Sequence, residues 1–84
     1  MDHGKHSEAM IPIRNISSAV ELGQLIRQTR QVSGLTQQDL ADVAETGRRF
    51  IIELEAGKAT SQIGKVFSVL ACLGLHVSVG GSNA

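Results

Sequence analysis

Apolar residues recur along this chain at helical spacing in four successive runs and then change to alternation. Leu22, Leu25, Ile26 and Thr29 keep the i, i+3, i+4, i+7 order of one buried face, opened by Ser18 with Glu21 three residues on, as in a capping box. Gly34 supplies the left-handed residue on which helices commonly end. Thr36 opens a second helix as its N-cap, with Gln37, Gln38 and Asp39 in the first turn and Leu40, Val43 and Ala44 as its apolar face. Glu45, Thr46 and Gly47 separate that face from a third run, Arg48 to Glu55, with Ile51 and Leu54 as core positions and Gly57 as its stop. Ala41 is small where the second and third helices must approach closely. Ser61 starts a fourth helix, with Ile63, Val66, Phe67, Leu70 and Leu73 on one face and Gly74 closing it. Leu75, Val77 and Val79 then alternate with His76 and Ser78, which predicts a short strand.

Two short helices joined by a tight turn make a helix-turn-helix unit, so the pattern predicts an all-α, four-helix domain with a short C-terminal strand. Residues 1–14 read as a flexible tail, 15–79 as the domain and 80–84 as a frayed end. Within the chain the strand's one potential partner is the extended Ile11-Pro12-Ile13, and a two-stranded ribbon is marginal in water. The simplest partner is the same strand of a two-fold mate. That predicts a dimer in which Val77 faces its own copy or a near neighbour, Leu75 and Val79 extend the ribbon, and Val69, Cys72 and Leu73 lie under it.

Composition supports a second chain. At 84 residues the core is near the lower size for independent stability. The single Cys72 cannot form an internal disulfide, and no Cys/His set has zinc-site spacing. His3 and His6 have i, i+3 spacing on a tail with no further ligand, so no metal or cofactor is expected. Two Phe with no Trp or Tyr argue against stacking on single-stranded nucleic acid. No nucleophile stands beside a base, no glycine-rich phosphate loop opens a helix and no carboxylates converge, which excludes an enzyme. The apolar stretches fall short of the roughly 20 residues a membrane span needs, and MDHGKHSEAM has no signal-peptide centre, so the expected compartment is cytoplasmic.

Eight basic and eight acidic side chains cancel, so any nucleic-acid reading must come from local placement. Arg48 and Arg49 supply it. Positive charge at a helix N-terminus opposes the macrodipole by roughly 0.3–1 kcal/mol per residue, a cost that an external anion would remove. An α-helix fits the major groove with its first turn at the base edges, where an arginine fork on guanine O6 and N7 discriminates by about 1–3 kcal/mol. One turn on, Glu53 could accept from cytosine N4 and Ile52 could meet a thymine methyl. The bland alternatives are solvated arginines and an Ile52 that touches core or partner.

The run LTQQDLADVAETGRRFIIELEAGK, residues 35–58, resembles the helix-turn-helix of the Xre family of transcriptional regulators, which includes the lambdoid phage repressors. The matched positions are Leu35-Thr36-Gln37, Leu40-Ala41, Ile51, Leu54-Glu55 and Gly57-Lys58. The resemblance implies a lambda-repressor-like fold in which Gln37 contacts phosphate and braces the recognition helix. Thr36 then lies near the DNA backbone, Gly47 and Lys58 count with it among the DNA-binding residues, and Glu55 forms a structural ion pair with Arg30. Two positions depart from the pattern. Glu45 stands where the turn usually has glycine, and Gly47 replaces the usual Ser or Thr at the head of the third helix, leaving more of the readout to Arg48 and Arg49.

The second half, GKATSQIGKVFSVLACLGLHVSV, is similar to the HipB antitoxins, the resemblance running from about residue 16 to 79. It implies a homodimer with paired C-terminal strands that binds a palindromic operator in double-stranded DNA, represses its own operon and partners a HipA-type kinase toxin. Gln24, Arg27, Gln31, Gln62 and Lys65 are candidates for the toxin-facing surface. Two alternatives remain: a stand-alone Xre-type repressor, and an interaction module that has lost DNA binding.

Overall fold

The computed structural model describes residues 13–60 and 62–82. Among them are four helices: α1 (Ala19–Val32), α2 (Gln37–Val43), α3 (Arg48–Glu55) and α4 (Ile63–Cys72). Side-chain caps set two of the starts. Ser18 Oγ accepts from the Glu21 N–H at 3.1 Å, but Glu21 reaches one residue further back, to the Ser17 N–H at 2.7 Å, so this capping box is reciprocal only in part. At α2 the box is complete: Thr36 Oγ1 accepts from the Asp39 N–H at 3.0 Å and Asp39 Oδ2 from the Thr36 N–H at 2.9 Å.

All four helices end in the same crossing pair of backbone bonds, which answers carbonyls the last turn leaves open. After α1, α3 and α4 the left-handed residue is glycine, at Gly34, Gly57 and Gly74. After α2 it is Glu45, with φ 57; its N–H bonds Asp42 O at 3.2 Å and the Thr46 N–H bonds Ala41 O at 2.9 Å. Glutamate thus adopts the glycine conformation of the turn, at a cost of roughly 1–2 kcal/mol. The geometry of the helix-turn-helix is kept.

Ile26, Leu40, Ala41, Ile51 and Val69 are fully enclosed, with Leu54, Val66, Leu70 and Ala44 nearly so, and Leu22, Phe50, Leu73 and Leu75 are half-buried against them. Ala41 sits where α2 meets α3, as its size requires. The closest approach is elsewhere, at Gly23. A Cβ built there would lie 2.8 Å from the carbonyl oxygen of Glu55, and closer still to that of Leu54. Only glycine lets α1 meet the end of α3 backbone to backbone.

Some expected core positions lie outside. Val43, Ile63 and Phe67 are 60%, 59% and 51% exposed, because the buried stripes run through Leu40, Ala41 and Ala44 on α2 and through Val66, Val69 and Leu70 on α4. The helical period is right, but the contacted face is narrower than the apolar one. Val69, expected beneath a dimer ribbon, belongs to the protomer's own core and offers no surface. Cys72 is exposed, Val77 and Val79 are exposed, and residues 75–82 follow α4 without regular structure. A strand whose partner is a second copy has no ladder within one chain. The expected tail with His3 and His6, the extended Ile11-Pro12 and the Ser61 helix start lie outside the described residues.

Candidate nucleic-acid interface

Arg48 and Arg49 are the first two residues of α3, and both are exposed. The N-cap, Gly47, has no side chain with which to bond the helix's open N–H groups, and no acidic residue lies in the first turn. Peptide dipoles and two guanidinium groups therefore point the same sign of potential outward from one end of α3.

Arg48 has no side-chain partner among the described residues. Arg49 does: its Nε donates to Glu53 Oε2 at 3.2 Å, one turn along, and Lys58 Nζ stands 3.5 Å from the same oxygen. The Arg49 hydrogen bond, with Lys58 adding to it, holds the Glu53 carboxyl below the usual carboxylate range. Lys58 is brought within reach by the turn at Gly57, where its own N–H bonds Glu53 O at 3.0 Å. Ile52 is 40% exposed beside this group.

Behind the surface, Arg30 and Glu55 form a buried fork: Arg30 Nε to Glu55 Oε2 at 2.6 Å and Nη2 to Oε1 at 3.0 Å. The Glu55 hydrogen bond outweighs burial and raises the Arg30 pKa. Arg30 Nη1 also donates to Leu35 O at 2.8 Å, and Gln37 Nε2 donates to Glu55 Oε1 at 3.1 Å. The Arg30–Glu55 pair thus ties α1, the loop before α2, the first residue of α2 and the end of α3. Gln37 is braced by this bond, and its amide has a second N–H to offer. Thr36 is exposed, its hydroxyl taken by the cap.

The sequence residues Thr36, Gln37, Gly47, Arg48, Arg49, Ile52, Glu53 and Lys58 thus fall on the paired helices α2 and α3, on the N-cap of α2 and on the turns that flank α3. The link that the pattern did not reveal is Lys58 to Glu53, because it crosses a helix end; Arg49 to Glu53 was available as an i, i+4 pair. Nor does spacing predict Lys65 Nζ over the Phe50 ring, 5.5 Å from its centre, because the two residues lie on different helices. Among the described residues no cluster of His, Cys, Asp and Glu could hold a metal, and no helix is long and apolar enough to cross a membrane.

No family profile matches the chain. Over 66 residues, 79% of this chain and 87% of the other, it is 46% identical to an uncharacterized HTH-type transcriptional regulator, y4mF, of Sinorhizobium fredii. The chain belongs to the HTH-type transcriptional regulators. The regulator's fold is similar to that of a HipB–O2 20mer complex, with a TM-score of 0.76 at 22% identity over 86% of this chain and 100% of that one. It is also similar to a chain of a HipA–HipB–O2–O3 complex, with a TM-score of 0.75 at 22% identity over 84% and 100%. At that identity the likeness is one of fold.

Proposed function

We propose that this HTH regulator is a sequence-specific repressor that binds a palindromic operator as a homodimer, and that it serves as the autorepressing antitoxin of a HipBA-type pair. The observation that carries the DNA reading is the pair of exposed guanidinium groups at the amino end of α3, in a first turn that holds no acidic residue, Arg49 alone being paired one turn on, with Glu53. Arg48 and Arg49 are assigned to guanine edges, Ile52 to a thymine methyl, and Gln37, Thr36 and Lys58 to the phosphate backbone. Gly47 brings backbone close to the duplex without a side chain between.

The dimer reading draws on the exposed Val77 and Val79 and the half-buried Leu73 and Leu75, which a second copy would cover, with Cys72 at the margin. The solved HipB relatives in complexes with a 20mer and with HipA support the antitoxin assignment, which would make a HipA-like kinase the protein partner. A gel-shift titration on the region upstream of its own gene, with light scattering for mass, tests the reading. A dimer should select half-sites roughly 10 base pairs, about 34 Å, apart or at a multiple of that spacing. Operator preference should fall when Arg49 becomes alanine. A monomer that binds no duplex at low salt would leave the stand-alone interaction module as the better reading.

A further inference from the structure

Glu53 is an odd residue to find among DNA-facing cations. Its side chain is 36% exposed, on the same outer surface as Arg49 and Lys58, and both cations converge on a single oxygen, Oε2. A carboxylate pointed at DNA repels phosphate, and one that already holds two cations is poorly placed to accept from a cytosine amine. Resting on the DNA reading above, we propose that Glu53 is a specificity-determining residue that acts as an internal counter-ion. It occupies Arg49 and Lys58 in the free protein and on arbitrary sequence, and gives them up, Arg49 to a guanine edge and Lys58 to a neighbouring phosphate, only where base edges hold Arg49 better.

The argument is one of competition. Binding to any sequence comes from cations that neutralise phosphates, each contributing to the salt dependence. A cation paired within the protein must first be freed, so each ion pair to Glu53 weakens attachment to phosphate of every sequence equally. A guanine edge offers Arg49 a two-bond fork, which replaces the lost partner more fully than one phosphate oxygen does. Specificity, the ratio of the two affinities, therefore rises although neither affinity need be high. The Arg49 bond to Glu53 uses Nε, and the terminal guanidinium nitrogens have no partner among the described residues, so a fork on guanine can build up as the Nε bond is given up. The depressed carboxyl pKa agrees with a group that stays charged near neutrality. The eight-to-eight charge balance fits a regulator whose cations are held back in this way.

The test compares Glu53→Gln with the wild type by fluorescence anisotropy, on a mixed-sequence duplex of about 30 base pairs, long enough for two half-sites, and on duplexes from its own upstream region. Exposed ion pairs are individually weak, so the expected gain on mixed sequence is a few-fold to about tenfold at low salt. The log–log salt slope should steepen by about 1 for each cation newly given to a phosphate. The ratio of specific to mixed-sequence affinity should fall by a similar factor. In an Arg49→Ala, Lys58→Ala background the same Glu53→Gln change should have little effect, which a merely structural role would not predict. Unchanged mixed-sequence affinity and slope would overturn the proposal, as would loss of preference at one base pair with an unaltered slope, the mark of a direct cytosine contact. A wild-type chain that binds no duplex would instead overturn the DNA reading itself, and this proposal with it.

Discussion

Gly23→Ala sets two physical effects against each other, and the structure says which wins. In an exposed helix, alanine is favoured over glycine by about 1 kcal/mol. At position 23 the added methyl would lie 2.8 Å from the Glu55 carbonyl oxygen, and nearer still to that of Leu54. Both obstacles are backbone, which cannot swing aside as a side-chain tip can. Ordinary van der Waals separation then requires α1 and α3 to part by roughly 0.5–1 Å, loosening close packing around Ile26 and Leu54. Overpacking of this kind costs typically 1–3 kcal/mol. With two backbone carbonyls in the way the upper part of that range applies, about 2–3 kcal/mol, which after the alanine preference leaves a net loss of about 1–2 kcal/mol, a fall in Tm of roughly 5–15 °C for a domain of this size. Thermal melts followed by far-ultraviolet circular dichroism, at one fixed protein concentration, read this directly. Gly64→Ala is the internal control, since a Cβ there meets nothing within 4 Å and should give a small gain. A higher Tm for Gly23→Ala, or the same shift in both variants, would refute the reasoning.

Other perturbations have equally definite signs. Glu45→Gly removes a left-handed glutamate and should raise stability by about 1 kcal/mol in denaturant titrations. Glu55→Ala strands the buried Arg30 guanidinium and should cost about 3–5 kcal/mol, whereas replacing both partners by apolar residues should recover much of it. Low pH should weaken the fold: Glu21 is held below its ordinary 4.5, chiefly by the Ser17 N–H, and Asp39 below its ordinary 3.8, chiefly by the Thr36 N–H. Carboxylates lowered in the folded state stabilise it fully above those ordinary values and lose the contribution as pH falls through the folded ones. Denaturation midpoints measured from pH 6 downward, roughly to pH 2, should decline accordingly, less steeply in Asp39→Asn.

Local chemistry was the legible part of this fold. Thr36 with Asp39, the glycines at 34, 57 and 74, and the 3.6-residue period each act within a few positions of chain, so each could be read without knowing the tertiary structure. The awkward Glu45 was visible as a conflict between residue and turn, though only the backbone angle shows how it is resolved. Gly23 gave no signal, because its reason for being glycine is the α3 backbone some thirty residues away. The width of the buried stripe was equally hidden: Val43, Ile63 and Phe67 carry the right period, but which apolar residues are covered depends on neighbouring helices. Val69 was placed under a partner for the same reason. At the candidate interface Arg48 and Arg49 stood out by violating the helix dipole, while the convergence of Arg49 and Lys58 on Glu53 depended on the turn at Gly57.

The most direct test of the central assignment, the amino end of α3 at the base edges, is dimethyl sulfate protection of guanine N7, an atom that lies in the major groove. The wild-type regulator on its upstream DNA should protect guanines in two patches roughly 10 base pairs apart, or a multiple of that. An Arg48→Ala, Arg49→Ala variant with an unchanged circular dichroism spectrum should lose that protection. Bound duplex whose guanine N7 atoms react as freely as naked DNA, or protection that survives the double substitution, would contradict the account.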